Sequence, residues 1–176
     1  MATTRNPSTD GDQALVLLGI YLNDHLAGST GGLELIRRIA SAHRGSSAGA
    51  TLDRMVVEFR DEREALMQMM AALGVPVRHY KVYGAWVFEK VGRFKLNGSL
   101  LHRSPLSDLV ELEGMRLGVE GKAAGWRTLR TAASRYDVLD ATRLDRLIAQ
   151  ARAQSDTLEE LRIQAAERVT TGTSRD

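Results

Sequence analysis

Apolar residues recur at alternating three- and four-residue intervals through four long stretches of the chain, and no stretch sustains a two-residue alternation. This is the period of amphipathic helices. The first stretch, 12–44, places Leu15, Leu18, Leu22, His25, Ser29, Gly32, Ile36, Ile39 and His43 on one stripe. The phase is unchanged on either side of "GSTGG" (28–32), which predicts one long helix through that patch although its composition alone reads as a loop. A turn at "RGSSAGAT" follows, with Thr51 as the expected N-cap. The second helix, 51–73, carries Leu52, Met55, Phe59, Glu62, Leu66, Met69 and Leu73 in heptad register, and "GVP" ends it. The third, from Ser104 and Pro105 to about 134, opens with a serine cap and proline at the first helical position. The fourth is capped by Asp140 or Thr142 and runs to about 169, with Leu144, Leu147, Ala151, Gln154, Leu158, Leu161 and Ala165 facing inward.

The connections between helices are short, long and short. That order belongs to a ferritin-like bundle, in which one crossover spans the bundle's length. The segments "YLNDHLAGSTGGLELIRR", "LGVP" and "KLNGSLLHRSPLSDLVELEGMRLGVEGK" carry a further likeness. Through them the chain resembles, over most of its length, an uncharacterised group of bacterial ferritin-like proteins; the resemblance implies the fold and no activity. The expected organisation is a polar, mobile terminus at 1–11, a single all-α domain at 12–169 with its crossover at 74–104, and a frayed end at 170–176.

Glycine interrupts this helical pattern in a regular way. Gly114, Gly118, Gly121 and Gly125 lie on one stripe of the third helix, and Gly28 and Gly32 form a second patch on the first. Each glycine costs about 0.8–1 kcal/mol relative to alanine in a helix interior. Close backbone approach would offset that loss, so the first and third helices are expected to cross at these patches. A glycine-lined cofactor site is the alternative, but no strand precedes the glycines, so they are not a phosphate loop.

Composition narrows the function. The chain has 176 residues, 43% hydrophobic and 26% charged, which suits one globular domain. It has no cysteine, so thiolate metal sites, disulfides and cysteine nucleophiles are excluded. The longest early apolar run, at 14–22, is about half the length of a membrane span, and acids rather than bases precede it. A cytoplasmic location is the expectation. No nucleophile elbow is present, and four scattered histidines favour no catalytic constellation.

A ferritin-like bundle invites a di-metal centre built on Glu-x-x-His. The residues three before His25, His43, His79 and His102 are Leu22, Ala40, Pro76 and Ser99, so the motif is absent. A helical wheel still turns His25, Glu62 and Glu111 inward, and these are the ligands that an unorthodox iron or manganese site would use. If the first two helices fold about residue 47, Glu62 lies level with Gly32, roughly 10 Å from His25 at 1.5 Å per residue. A hydrogen-bonded network of His25, Ser29, Glu62, Arg63, Glu111, Lys122 and Gln154 is the first reading, since buried polar groups need partners, and no cofactor is expected. Glu113, Arg116 and Glu120 lie opposite and read as a solvent-facing ladder along their own helix. His43 and His102, near element ends, read as exposed or capping residues, and Met55, Met67, Met69 and Met70 as core filler.

The segment 76–103 is the most unusual in composition. It holds six cations against one acid, for a local charge of +5 in a chain of net +2, and five of the nine aromatics. Tyr80, Tyr83, Val87, Val91 and Phe94 share a face, which predicts a short fifth helix at about 78–92. Docking across the bundle explains that face. Trp86 and Phe88, off the stripe, suit a subunit contact. Lys90, Arg93 and Lys95 would serve a membrane surface or single-stranded nucleic acid. The leading function is thus a non-catalytic, self-associating helical interaction protein with no inferable small-molecule substrate. A divergent metal-binding or oxidative-stress protein and a peripheral membrane or nucleic-acid binder are the alternatives.

Overall fold

The computed structural model describes residues 7–78 and 105–172. Among them lie four helices and no strand: α1 (Pro7–Ala42), α2 (Gly49–Ala72), α3 (Pro105–Ala132) and α4 (Ala141–Thr171). No described helix is long and apolar enough to cross a membrane. The expected fifth helix, Ser104, His102 and the interface residues Trp86, Phe88, Lys90, Arg93 and Lys95 lie outside the described residues.

α1 is continuous through "GSTGG", as the matched phase requires. It begins at Pro7, so residues 7–11, which polarity assigns to a mobile terminus, are helical; proline at the first helical position has no N–H to leave unpaired. α2 begins at Gly49, and Ala48 stands at its N-cap without a side-chain cap. Thr51 is therefore not the cap, and its hydroxyl accepts instead from Arg54 Nη2 at 3.4 Å. At the other end Gly74 takes φ +69°, while Val75 N donates to the Met70 carbonyl and Gly74 N to that of Ala71. This double bond pattern satisfies the last carbonyls of the helix and seals the stop that "GVP" announces. On α4 the capping residue is Asp140, whose carboxylate accepts from Arg143 N at 3.0 Å.

The heptad residues of α2 are all buried, and so are those of α4 except the half-buried Leu161. Pairings between helices give their directions. Along α3 and α4, Glu113 meets Arg162, Arg116 meets Glu159, Glu120 meets Ser155 and Arg130 meets Asp145, so rising numbers face falling ones. Tyr21 with Thr128 and Arg38 with Glu111 make α1 antiparallel to α3. The bond from Arg63 to Thr30 and the approach of Phe59 to Gly32 make it antiparallel to α2. α2 and α3 consequently run parallel. Asn23 ties the stretch that follows α2 to α1: buried on α1, it donates to the Gly19 and Pro76 carbonyls and accepts from Arg78 N at 2.7 Å.

Placing the helices decides three expectations. Glu113, Arg116 and Glu120 pair across to α4 rather than along α3, because they lie on the seam between the two. Of the two readings of His43, exposed or capping, the structure takes the second: it is buried just past α1, with Nδ1 2.9 Å from the Ile39 carbonyl. The glycines also divide into two kinds. α1 and α3 do pack together, yet the nearest neighbours of their glycines are side chains and not backbone. A methyl group on Gly125 would sit 3.1 Å from His25 Nδ1, and one on Gly32 3.7 Å from Met115 Cε. On Gly28 or Gly121 it would meet nothing within 4 Å.

Equal helix propensity therefore predicts unequal outcomes. Gly121→Ala is expected to raise stability by about 0.8–1 kcal/mol, whereas Gly125→Ala gains none of it, because the new methyl displaces the His25 ring. Urea denaturation of the two variants beside the parent measures the difference.

Candidate binding cavity

Gly28 and Gly121 face open space because α1, α2 and α3 border a half-open cavity of about 610 Å³ at that level. α1 contributes Tyr21, Leu22, His25, Gly28 and Ser29; α2 contributes Phe59, Glu62, Arg63 and Leu66. α3 contributes Leu117, Trp126 and Leu129 with Gly118, Gly121, Lys122 and Gly125 between them. The glycine stripe is the wall without side chains that leaves this room. Its volume falls within the range of small-molecule sites.

The inner wall carries a charged cluster that ties three helices together. Lys122 Nζ on α3 donates to Glu62 Oε2 on α2 at 2.5 Å and to Gln154 Oε1 on α4 at 2.6 Å. The ammonium also stands 3.7 Å from the centroid of the Phe59 ring. The Gln154 amide donates to Glu58 Oε2 at 2.8 Å and to Glu62 Oε1 at 3.1 Å. Both oxygens of the buried Glu62 carboxylate are thereby occupied, which is the condition for burying a charge at tolerable cost. Burial pushes the Glu62 carboxyl above its ordinary range and the Lys122 ammonium below its own, and the attraction between them opposes both shifts.

Of the seven residues assigned to a polar network, Glu62, Lys122 and Gln154 meet. The other four do not join them. Glu111 pairs with Arg38 at 3.2 Å; it lies eleven residues from Lys122 on α3, about 16 Å away along the axis. Ser29 donates to the Leu26 carbonyl of its own helix. Arg63 donates to Thr30 and Met67. His25 packs edge-on against Tyr21, with ring centroids 4.4 Å apart, and lays its Nδ1 edge on Gly125. Burial holds the His25 pKa below the ordinary histidine value although Asp24 opposes the shift, so at neutral pH the ring is uncharged.

The metal ligand set is likewise not assembled. Among the described residues no group of three or more histidine, aspartate or glutamate side chains is placed to hold an ion. Glu111 is committed to Arg38 and Glu62 to Lys122.

Sequence reading missed Glu58, although it stands four residues before Glu62 and so shares its face. It also missed Trp126, which is buried in the cavity wall with no acceptor for its indole N–H among the described residues. Comparison with protein-family models, curated proteins and solved structures found no match.

Breaking the cluster has a pH-dependent consequence. Lys122→Met strands the Glu62 carboxylate and is expected to cost about 3–5 kcal/mol near pH 8. A carboxyl whose pKa is raised in the folded state holds its proton there after the unfolded chain has lost it. Its stabilising contribution is therefore present at acid pH and lost as pH rises. The deficit of Lys122→Met should shrink at pH 5, as urea melts of parent and variant at both pH values would show.

Proposed function

We propose that this chain is a non-catalytic, ferritin-like helical bundle that binds a largely apolar small molecule between α1, α2 and α3. The helix directions support the ferritin-like type: two antiparallel hairpins with the second and third helices parallel match a bundle carrying one long crossover. The cavity beside the unfilled glycines carries the binding reading. Gly28 and Gly121 have negative φ and no close neighbour, so neither backbone geometry nor packing within the described chain accounts for them. A bound molecule against that wall would. Binding fits better than catalysis because the ionised groups deepest in the wall are already saturated by one another.

A second reading, self-association, draws on α1. Val16, Leu17 and Ile20 are 58%, 61% and 44% exposed within one and a half turns of helix. Apolar side chains grouped in this way mark contact surfaces more often than isolated ones do.

Two measurements test these readings. N-phenyl-1-naphthylamine, an uncharged fluorophore, should brighten on titration with the protein. Gly121→Trp should abolish that response while leaving the helical circular dichroism intact, and an unresponsive parent protein would refute the cavity reading. For self-association, light scattering should give a mass above 19.4 kDa that falls to the monomer value in Leu17→Glu.

A further inference from the structure

The charged groups of the cavity wall differ in what they already hold. Lys122 and Glu62 neutralise each other. Asp24 lies exposed beside His25. Arg63, half-buried on α2, has only neutral partners: Nε donates to Thr30 Oγ1 at 3.4 Å, and Nη1 lies 3.6 Å from Met67 Sδ. No carboxylate among the described residues pairs with it. The acids beside it in sequence are engaged elsewhere, Glu62 with Lys122 and Asp61 with Arg60. A guanidinium presents five donors in a planar fork suited to a carboxylate, and here that fork borders an apolar cavity.

We propose that the ligand is an amphipathic monocarboxylate, with its head on Arg63 and its apolar body along the Gly118–Gly121–Gly125 wall. This inference rests on the cavity reading and specifies its ligand. The charges along the cavity give that ligand a direction. Thr30 marks the level of Arg63 on α1, and Tyr21, at the far end, lies nine residues away, about 14 Å along the axis. Asp24 stands toward the Tyr21 end and repels an anion there. The uncharged His25 ring between them offers a hydrogen bond but no competing charge, and its nitrogens have no hydrogen-bond partner among the described residues. Among the described residues of the wall, one guanidinium without a carboxylate matches one negative charge. A phosphate dianion would bring a second charge with no free cation among those residues to meet it.

Paired probes of one shape separate the head from the body. 1-Pyrenebutyrate and its methyl ester differ only in the carboxylate, and the anisotropy of pyrene emission reports binding to the full chain at pH 8. The parent protein is expected to bind the acid at least tenfold more tightly than the ester. Arg63→Gln should weaken the acid at least tenfold and leave the ester unchanged, which shows the cavity intact; Arg63→Lys should recover part of the loss. Equal affinity for acid and ester, or an acid affinity indifferent to Arg63→Gln, overturns the carboxylate assignment while the apolar cavity stands. Failure of both probes and of N-phenyl-1-naphthylamine to bind the parent overturns the cavity reading and this inference together.

Discussion

Lys122 brings a positive charge to the point where three helices meet, and the surrounding bundle is arranged to keep that charge supplied with partners. The ammonium spends its donors on Glu62 and Gln154 and sets its remaining face over Phe59. Gln154 in turn connects Glu62 to Glu58. Every group has a use for its neighbour, so no member can be removed without stranding another. The cluster also spans the wider gap between α2 and α4, whose backbones stay further apart than those of α3 and α4. Apolar contact alone would allow one helix to slide against the next by a turn. A cross-link that works at one height disfavours that slide, a registering role attested for buried polar groups in other helical assemblies.

The same cluster bounds the cavity, and stability and vacancy lie back to back in this fold. On the α4 side the Lys122 ammonium is packed and paired. On the α1 side of the same helix, Gly118, Gly121 and Gly125 remove side chains over two turns. Without the cluster, an opening of this size between three helices would be an invitation to collapse. With it, α2 and α3 are held at a set separation while α1 rests against α3 through His25 on Gly125 and Met115 near Gly32. A protein that sacrifices helix propensity at positions facing empty space departs from the local consistency of most folds, and such departures concentrate at functional sites.

Charge distribution adds a second layer. Ion pairs line the α3–α4 seam, where Glu113 faces Arg162, Arg116 faces Glu159 and Arg130 faces Asp145. Exposed pairs of this kind contribute little individually, but the matching of opposite charges at three heights penalises any other register. Arg63, on α2, stands apart from that pattern, with a hydroxyl and a thioether where the arginines of the seam have carboxylates.

What the sequence determined by itself was local. A 3.6-residue period, a glycine stop and an aspartate cap act within a few residues of chain, so the four helices, the continuity of α1, the inward heptads of α2 and α4 and the inward placement of Glu62, Lys122 and Gln154 were all legible. Tertiary structure decided which inward residues meet. Glu62 finds Lys122 while Glu111 finds Arg38, because a helical wheel gives the direction of a side chain but neither its height nor the separation of the facing helix. Asn23, in the middle of a helix, binds a segment more than fifty residues away, and no periodicity encodes that. The glycine stripe shows the limit most clearly. Its spacing is the same whether a neighbouring helix presses against it or an opening lies beside it, and only the placement of α1 and α2 around α3 distinguishes a packing surface from a cavity wall.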